Sequence, residues 1–464
     1  MVPHRLGRAG RAFLALAGAA ALSGCQTIAP VEADGSTLIR NVTVISMEKP
    51  GSAAAQDLLI VDGRVAAQGA AGTLRRASAT VIDGTGRYVI PGMWDMHTHA
   101  LLENRVVHTL TKYADHGVVG VRDLGSTLEE LQSARDALKT NADLPEVVAA
   151  GPLLDGPRQP WMQRMALPLA DVSEARAAAE RLASAGVDFL KVYNNLSREQ
   201  FAAVAEVARA RGLPFAGHVP FRLSVDEVSA AGQASIEHAG TQLVADCIEG
   251  GQRAIPAELN AWISRGYPGR SEERLQWWAK RDIAGCRALY RRMAARQTWV
   301  TPTLTNEIQG VTWSDESIAL LPARQAEACR SNLKSINSNA AVRDAADQLV
   351  LDLVRELAAN GVPLLAGTDV PNGCLAPGDS LHLELELMVR AGLSSWEALK
   401  TATRNPALFL KRPQEGLIRV GAVANLVLLD RNPLNDIRNT RSVAGVMLRG
   451  KWHRKPQPNV VSGL

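Results

Sequence analysis

Four of the chain's nine histidines close short apolar runs. His97 and His99 end the stretch Ile90-Pro-Gly-Met-Trp-Asp-Met-His-Thr-His-Ala100, His218 follows Phe215-Ala-Gly, and His238 follows Ser235-Ile-Glu. Successive side chains of a strand point to opposite faces, so His97 and His99 share one face. A lone buried histidine is usually ordinary core. Four of them at the ends of strands form a donor set for transition metals, since imidazole is the commonest ligand of such ions. His4, His108, His116, His382 and His453 show no comparable clustering. Of these, His382, in Pro377-Gly-Asp-Ser-Leu-His-Leu-Glu384, follows the last apolar strand closely enough to reach a substrate.

Two charged residues extend the set. In Val187-Asp-Phe-Leu-Lys-Val-Tyr193, alternation places Phe189, Lys191 and Tyr193 on one face, so a lysine points inward among aromatic rings. A buried ammonium beside cationic metals is costly. It makes chemical sense if the amine has taken up carbon dioxide as a carbamate, an anion able to bridge two metals. An ion pair with Asp188, or a side chain reaching the rim, is the other use of such a lysine. Asp369 ends Val362-Pro-Leu-Leu-Ala-Gly-Thr-Asp-Val370, where a carboxylate can serve as ligand, general base or turn cap.

Positioning these groups requires a particular scaffold. Apolar strands near 93–99, 118–123, 147–152, 187–193, 214–218, 234–238, 298–303 and 363–369 alternate with helical stretches such as 173–185 and 198–211. Eight βα units predict an α/β fold, a (β/α)8 TIM barrel over 91–407, with its active site at the C-terminal ends of the strands. No Gly-x-Gly-x-x-Gly turn follows the first strand, which counts against a doubly wound sheet. Residues 37–90 and 408–464 carry β signals instead, including an Asp62-Gly63 hairpin turn. Two short β-rich ends bury their faces by pairing with each other, as a small composite β-sandwich domain.

The N-terminus stands outside this core. Arg5, Arg8 and Arg11 precede an apolar run, 13–22, and then Leu22-Ser-Gly-Cys25. Residues 1–24 read as a secretory signal and 25–36 as a tether. The Leu-Ser-Gly-Cys ending resembles a bacterial lipobox, which implies lipidation of Cys25, and Gln26 implies sorting to the outer membrane, facing the periplasm. Loss of the three arginines takes the formal charge of +4 close to neutral, so no basic surface speaks for nucleic acid. Cys247, Cys286, Cys329 and Cys374 remain, in a compartment that permits disulfides, with three pairings open.

His97-x-His99, Lys191, His218, His238 and Asp369, in that order on successive strands, resemble the binuclear metal-dependent amidohydrolase superfamily. The flanks agree: Val89-Ile-Pro-Gly-Met-Trp-Asp-Met-His97, Gly117-Val-Val-Gly-Val-Arg-Asp-Leu-Gly125, Ala402-Thr-Arg-Asn-Pro-Ala407 and Ala424-Asn-Leu-Val-Leu-Leu-Asp-Arg-Asn-Pro433. Within the superfamily the chain looks most like the imidazolonepropionase-like and prolidase-like branch. The resemblance implies two divalent metals, most simply zinc. His97, His99 and Asp369 would hold one and His218 and His238 the other, with carboxylated Lys191 and a hydroxide bridging them. It further implies that Asp369 moves the proton and that Tyr193 helps to polarise a carbonyl. Two departures stand out: Gly217-His-Val-Pro220 replaces the His-Ala-His-Gly of many prolidase-like members, and Asn425 replaces an Asp in the C-terminal β motif.

The expected activity is hydrolysis of amide bonds in small N-acyl amino acids or dipeptides. An ester, lactone or phosphotriester hydrolase on the same metals is the alternative, and a non-catalytic envelope lipoprotein is a third use of the fold. Substrate contacts would come from the loops, with Arg158 and Arg164 as carboxylate binders and Trp161 as an apolar wall in 153–164. The sequence leaves room for a homo-oligomer.

Overall fold

A computed structural model describes residues 35–102, 105–157, 164–249, 271–311, 313–336 and 340–454. Five strands open the described chain: β1 (Thr37–Val44), β2 (Ala53–Val61), β3 (Arg64–Ala70), β4 (Thr80–Asp83) and β5 (Tyr88–Pro91). The β2–β3 turn at Asp62-Gly63 has positive φ at both residues, 48° and 74°, as a tight two-residue hairpin requires. β1 forks the sheet. One of its edges pairs antiparallel with β2, while the other pairs with β4 through Thr37–Arg40 and with β5 through Thr43–Val44.

The barrel strands follow: β6 (Met93–Thr98), β7 (Val118–Asp123), β8 (Glu146–Ala149), β9 (Leu153–Asp155), β10 (Ala166–Pro168), β11 (Leu190–Val192), β12 (Phe215–Gly217), β13 (Ser235–Glu237) and β14 (Trp299–Thr301). The chain ends on β15 (Leu426–Leu429), β16 (Val443–Leu448) and β17 (Lys451–Arg454). β15 pairs antiparallel with β5, so strands from both ends share one eight-stranded sheet. Bonds from Val65 N–H to Ala422 O and from Ala424 N–H to Gly63 O join its far sides. Ile39, Val42, Leu58, Val65, Ile82, Leu426, Leu428 and Met447 fill the space inside.

Every residue of β6 and of β7 is buried, as expected of parallel strands covered on both faces. Parallel pairing runs β6–β7–β8 and β9–β11–β12–β13–β14. Asp188 N–H donates to Ala149 O, linking β8 to the approach of β11. The eighth stave is extended chain at 363–369. Leu365 N–H donates to Val300 O and Met96 N–H to Ala366 O, which closes the ring between β14 and β6. The result is the (β/α)8 barrel.

Outer helices start where their caps dictate. Thr127, Ser197, Ser224 and Ser394 each accept the N–H of the residue three on, and Glu130, Gln200, Glu227 and Glu397 return the bond. The segment read as an open substrate loop, 153–164, begins as a strand instead. Apolar Leu153 and Leu154 are buried, and Leu154 pairs with Val192 of β11. Trp277 and Trp278, on the helix Ser271–Trp278, are buried in the main core. Of the three cysteine pairings left open, the structure forms Cys247–Cys286 and Cys329–Cys374, with Cα separations of 5.0 and 5.1 Å.

Candidate metal centre

β6 delivers His97 and His99 to the C-terminal mouth of the barrel, their ring centroids 5.8 Å apart. Asp369 arrives opposite them from the eighth stave, where its N–H and that of Thr368 both donate to His97 O. Its Oδ1 stands 3.4 Å from Nε2 of both His97 and His99. One donor atom from each of these three residues lies within 4.8 Å of the other two. Asp369 has φ +67°, a backbone turn that aims the carboxylate inward. Gly367 permits the approach, because a Cβ there would lie 2.7 Å from both the Cβ and the backbone N of His97.

His238, from the end of β13, places its ring 4.8 Å from His97 and 4.8 Å from His218, which ends β12. All four imidazoles are thus neighbours. Each is held by Nδ1: His97 by Glu237 Oε2 at 3.0 Å, His99 by Gly125 O at 3.0 Å, His218 by Asn194 Oδ1 at 2.9 Å and His238 by Thr303 Oγ1 at 2.7 Å. With oxygen acceptors at Nδ1, the neutral ring carries its proton there and leaves the Nε2 lone pair for a metal. Burial pushes the His238 imidazole down to about 3, and burial with the nearby Lys191 charge puts His218 well below its ordinary range. Both are therefore neutral donors at physiological pH.

Lys191, on β11, is 1% exposed. Burial brings its amine down to about 8; the Arg122 charge works in the same direction, and Glu237 and Asp369 oppose it. Asp188 is not its counterion, because its carboxylate accepts the Ala149 N–H at 2.8 Å. Gly217 makes room for the lysine stem: its φ is +136°, and a Cβ there would stand 2.1 Å from Val192 O and 3.0 Å from Lys191 Cδ. Tyr193 lies alongside, its ring 4.1 Å from His218 and 5.9 Å from Lys191 Nζ. Burial would raise the Asp369 carboxyl, but the His97 and His99 rings packed against it hold it well below the usual range.

A second layer was not legible in the sequence. Glu237 is fully buried between His97 and Arg122, whose Nη2 donates to Oε1 at 2.8 Å, while Ser235 Oγ donates to the same oxygen at 2.5 Å. Arg122 also donates to Met96 O and Ser235 Oγ. Asn306 Nδ2 donates to Asp369 Oδ2 at 3.0 Å. Asp95 accepts Thr368 N–H and Oγ1–H, which locks β6 to the eighth stave. The available signal was a glutamate and an arginine standing in short strands flanked by apolar residues, where an unpaired buried charge has no place.

The expected substrate contacts fare differently. Arg158, Trp161 and the expected lipidation residue Cys25 lie outside the described residues. Arg164 is paired with Glu130, the capping residue of the helix Leu128–Thr140. His382 sits on the helix Asp379–Arg390 and is buried, with Nδ1 3.0 Å from Thr440 Oγ1 and its ring 6.1 Å from His116. The helix turns it toward the segment Ile437–Arg441, so the structure does not bring it into the histidine cluster.

The amidohydrolase family model matches residues 88–453, most of the chain. The chain belongs to the amidohydrolase family. Among known members, ochratoxinase from Aspergillus niger is 36% identical over 102 residues. That match spans 21% of this chain and only 20% of the ochratoxinase's length. Among solved structures, bottromycin amidohydrolase superposes with a TM-score of 0.69 at 21% identity, covering 93% of this chain and 91% of that one. A Xaa-Pro dipeptidase with bound methionine superposes with a TM-score of 0.64 at 18% identity, covering 90% of this chain and all of that one. These amidohydrolase-fold neighbours share the barrel and the small β domain. The donor set found here, imidazole nitrogens and a carboxylate at the C-terminal mouth of the barrel, fits the divalent metals such proteins use.

Proposed function

We propose that the chain is a metal-dependent hydrolase of amide bonds in small N-acyl amino acids or dipeptides. One observation carries the reading: four neighbouring histidine rings, each fixed through Nδ1, gather in a site with a buried carboxylate and a buried lysine, and Nε2 of both His97 and His99 stands 3.4 Å from the Asp369 carboxylate. The similarity to ochratoxinase and to a Xaa-Pro dipeptidase supports an amide as the bond that is cut.

His97, His99 and Asp369 would hold one divalent ion and His218 and His238 a second, with Lys191 between them as its carbon dioxide adduct. Zinc suits these donors, and such ions supply an acidified water at neutral pH and a Lewis acid for the substrate carbonyl. The protein's own groups do the rest. Asp369, ionised and held at Oδ2 by Asn306, accepts the proton of the attacking water and returns it to the leaving amine. Tyr193 keeps its phenolic proton, because burial raises its pKa, and can donate it as a hydrogen bond to the carbonyl oxygen as charge develops. Glu237 and Asn194 keep His97 and His218 in the metal-binding tautomer.

The test uses the full chain purified in detergent. Bound metal is measured, and dipeptides and N-acyl amino acids are assayed beside lactones and phosphotriesters. Two zinc ions per chain with turnover of an amide is the expected result. Fewer than one metal per chain after addition of zinc and bicarbonate would sink the binuclear centre, and turnover confined to esters would move the substrate class. We further propose that the protein is anchored in the cell envelope by a lipid on Cys25.

A further inference from the structure

The turn that follows β14 supplies two groups to the centre. Thr303 Oγ1 fixes His238 Nδ1 at 2.7 Å, and Asn306 Nδ2 fixes Asp369 Oδ2 at 3.0 Å. Thr303 adopts φ 47° and ψ 50°, a left-handed conformation that is strained for a β-branched residue. Such strain persists only where neighbouring bonds over-determine the backbone. Here the neighbour is Glu384, fully buried on the helix Asp379–Arg390. Its Oε1 accepts Leu304 N–H at 3.0 Å, and its Oε2 accepts Thr305 N–H at 2.8 Å and lies 3.1 Å from Thr305 Oγ1. These two N–H groups open the short helix Leu304–Glu307 and have no acceptor within it.

We propose that Glu384 is a positioning residue for the metal centre: by pinning the N–H groups of Leu304 and Thr305 it holds Thr303 left-handed, and thereby orients His238 and Asp369. Glu384 touches none of the proposed ligands and works through Thr303 and Asn306. The inference rests on the metal reading above and assigns to one buried carboxyl group the alignment of two of its proposed ligands. An amide cannot replace it, because the NH2 of Gln would face one of the two backbone donors. Thr303→Val keeps the shape of the side chain and loses the oxygen, whereas Thr303→Ser keeps the oxygen.

The experiment measures zinc affinity of the full chain in detergent by competition with a fluorescent chelator. Thr303→Val is expected to weaken zinc binding about 10–100-fold, the usual effect of losing a group that orients a metal ligand. Thr303→Ser should stay within about threefold of the parent. Glu384→Gln should weaken zinc at least as much as Thr303→Val, and the double variant should bind no worse than Glu384→Gln alone, since one residue acts through the other. Glu384→Asp, which keeps the carboxylate but draws it back, should fall between parent and Gln, and serves if the Gln variant does not accumulate. A merely structural Glu384 would lower the unfolding temperature and leave zinc affinity unchanged. Parent-like affinity in Thr303→Val and Glu384→Gln, or additive losses in the double variant, would overturn the proposal while leaving the metal reading intact. A parent chain that binds no zinc overturns both.

Discussion

Lys191 concentrates the chemistry of the proposed centre in one side chain. A fully buried amine brought down to about 8 keeps a reactive neutral fraction near neutral pH, the form that adds carbon dioxide. Lys191→Ala should therefore lose bound zinc and turnover, with partial rescue by acetate or propionate acting as a detached carboxylate. A zinc content equal to the parent's would refute the bridging role. Glu384 gives a second prediction at this scale. Burial raises its carboxyl from 4.5 to about 8, against three opposing hydrogen bonds from Thr305 and Leu304. Between those two pH values the folded state holds a proton that the unfolded state has released. The contribution of Glu384 to stability is then complete below pH 4.5, declines toward pH 8 and levels off above it. Glu384→Gln cannot titrate, so the stability of the metal-free parent relative to this variant should fall by up to about 1.4 kcal/mol per pH unit across that window. Urea unfolding of the two metal-free chains at pH 5 and pH 8 measures it, and a pH-independent difference would disprove the shift. The sequence exposed the six inward groups because charge at the end of an apolar strand is unusual. It did not expose Asn194, Thr303, Asn306 or Glu384, because polar residues in turns and helices are commonplace and only the tertiary fold brings them to the histidines.

At the scale of elements, the barrel is tied across its interior by polar side chains as well as by its ladders. Arg122 of β7 reaches Glu237 and Ser235 of β13 and Met96 O of β6, with its guanidinium carbon 5.0 Å from the Phe409 ring and 5.6 Å from that of Phe189. Glu237 in turn holds His97, so the same pair that braces three strands also sets the direction of a proposed ligand. Removing one member of a buried ion pair leaves the other uncompensated, at a cost of about 3–5 kcal/mol. Glu237→Gln should destabilise the metal-free chain by roughly that amount, with zinc affinity falling as well. A loss below about 1 kcal/mol in urea unfolding would show that Arg122 finds another partner. Strand order was readable from the alternation of apolar runs and helical periods, and the terminal β segments from their turns. Strand extent was not: β11, β12, β13 and β14 are three residues each, and β9 sits where Leu153-Leu154 looked like part of a loop. Pairing with neighbours, rather than local pattern, decides such short strands.

For the molecule as a whole, two disulfides accord with the proposed export, since reducing compartments rarely keep such bonds. Cys329–Cys374 fastens the helix Ala323–Ile336 to the loop that follows Asp369, and Gln325 Nε2 adds bonds to Pro371 O and Gly373 O of the same loop. Sequence separations of 39 and 45 residues give each bridge about 4 kcal/mol of loop-entropy stabilisation. Reduction should consequently move the urea midpoint sharply down, and a chain indifferent to dithiothreitol would show the bridges to be absent in solution. Anchoring is a separate matter, because among the described residues no helix is long and apolar enough to cross a membrane. If a lipid on Cys25 is the attachment, Cys25→Ser should move the protein from the membrane pellet to the soluble fraction. Both disulfides and the zinc content should be unchanged, because the six proposed ligands and the four bridged cysteines all lie far along the chain from Cys25. A Cys25→Ser chain that is oxidised, zinc-loaded and still in the pellet would place the attachment elsewhere in the molecule.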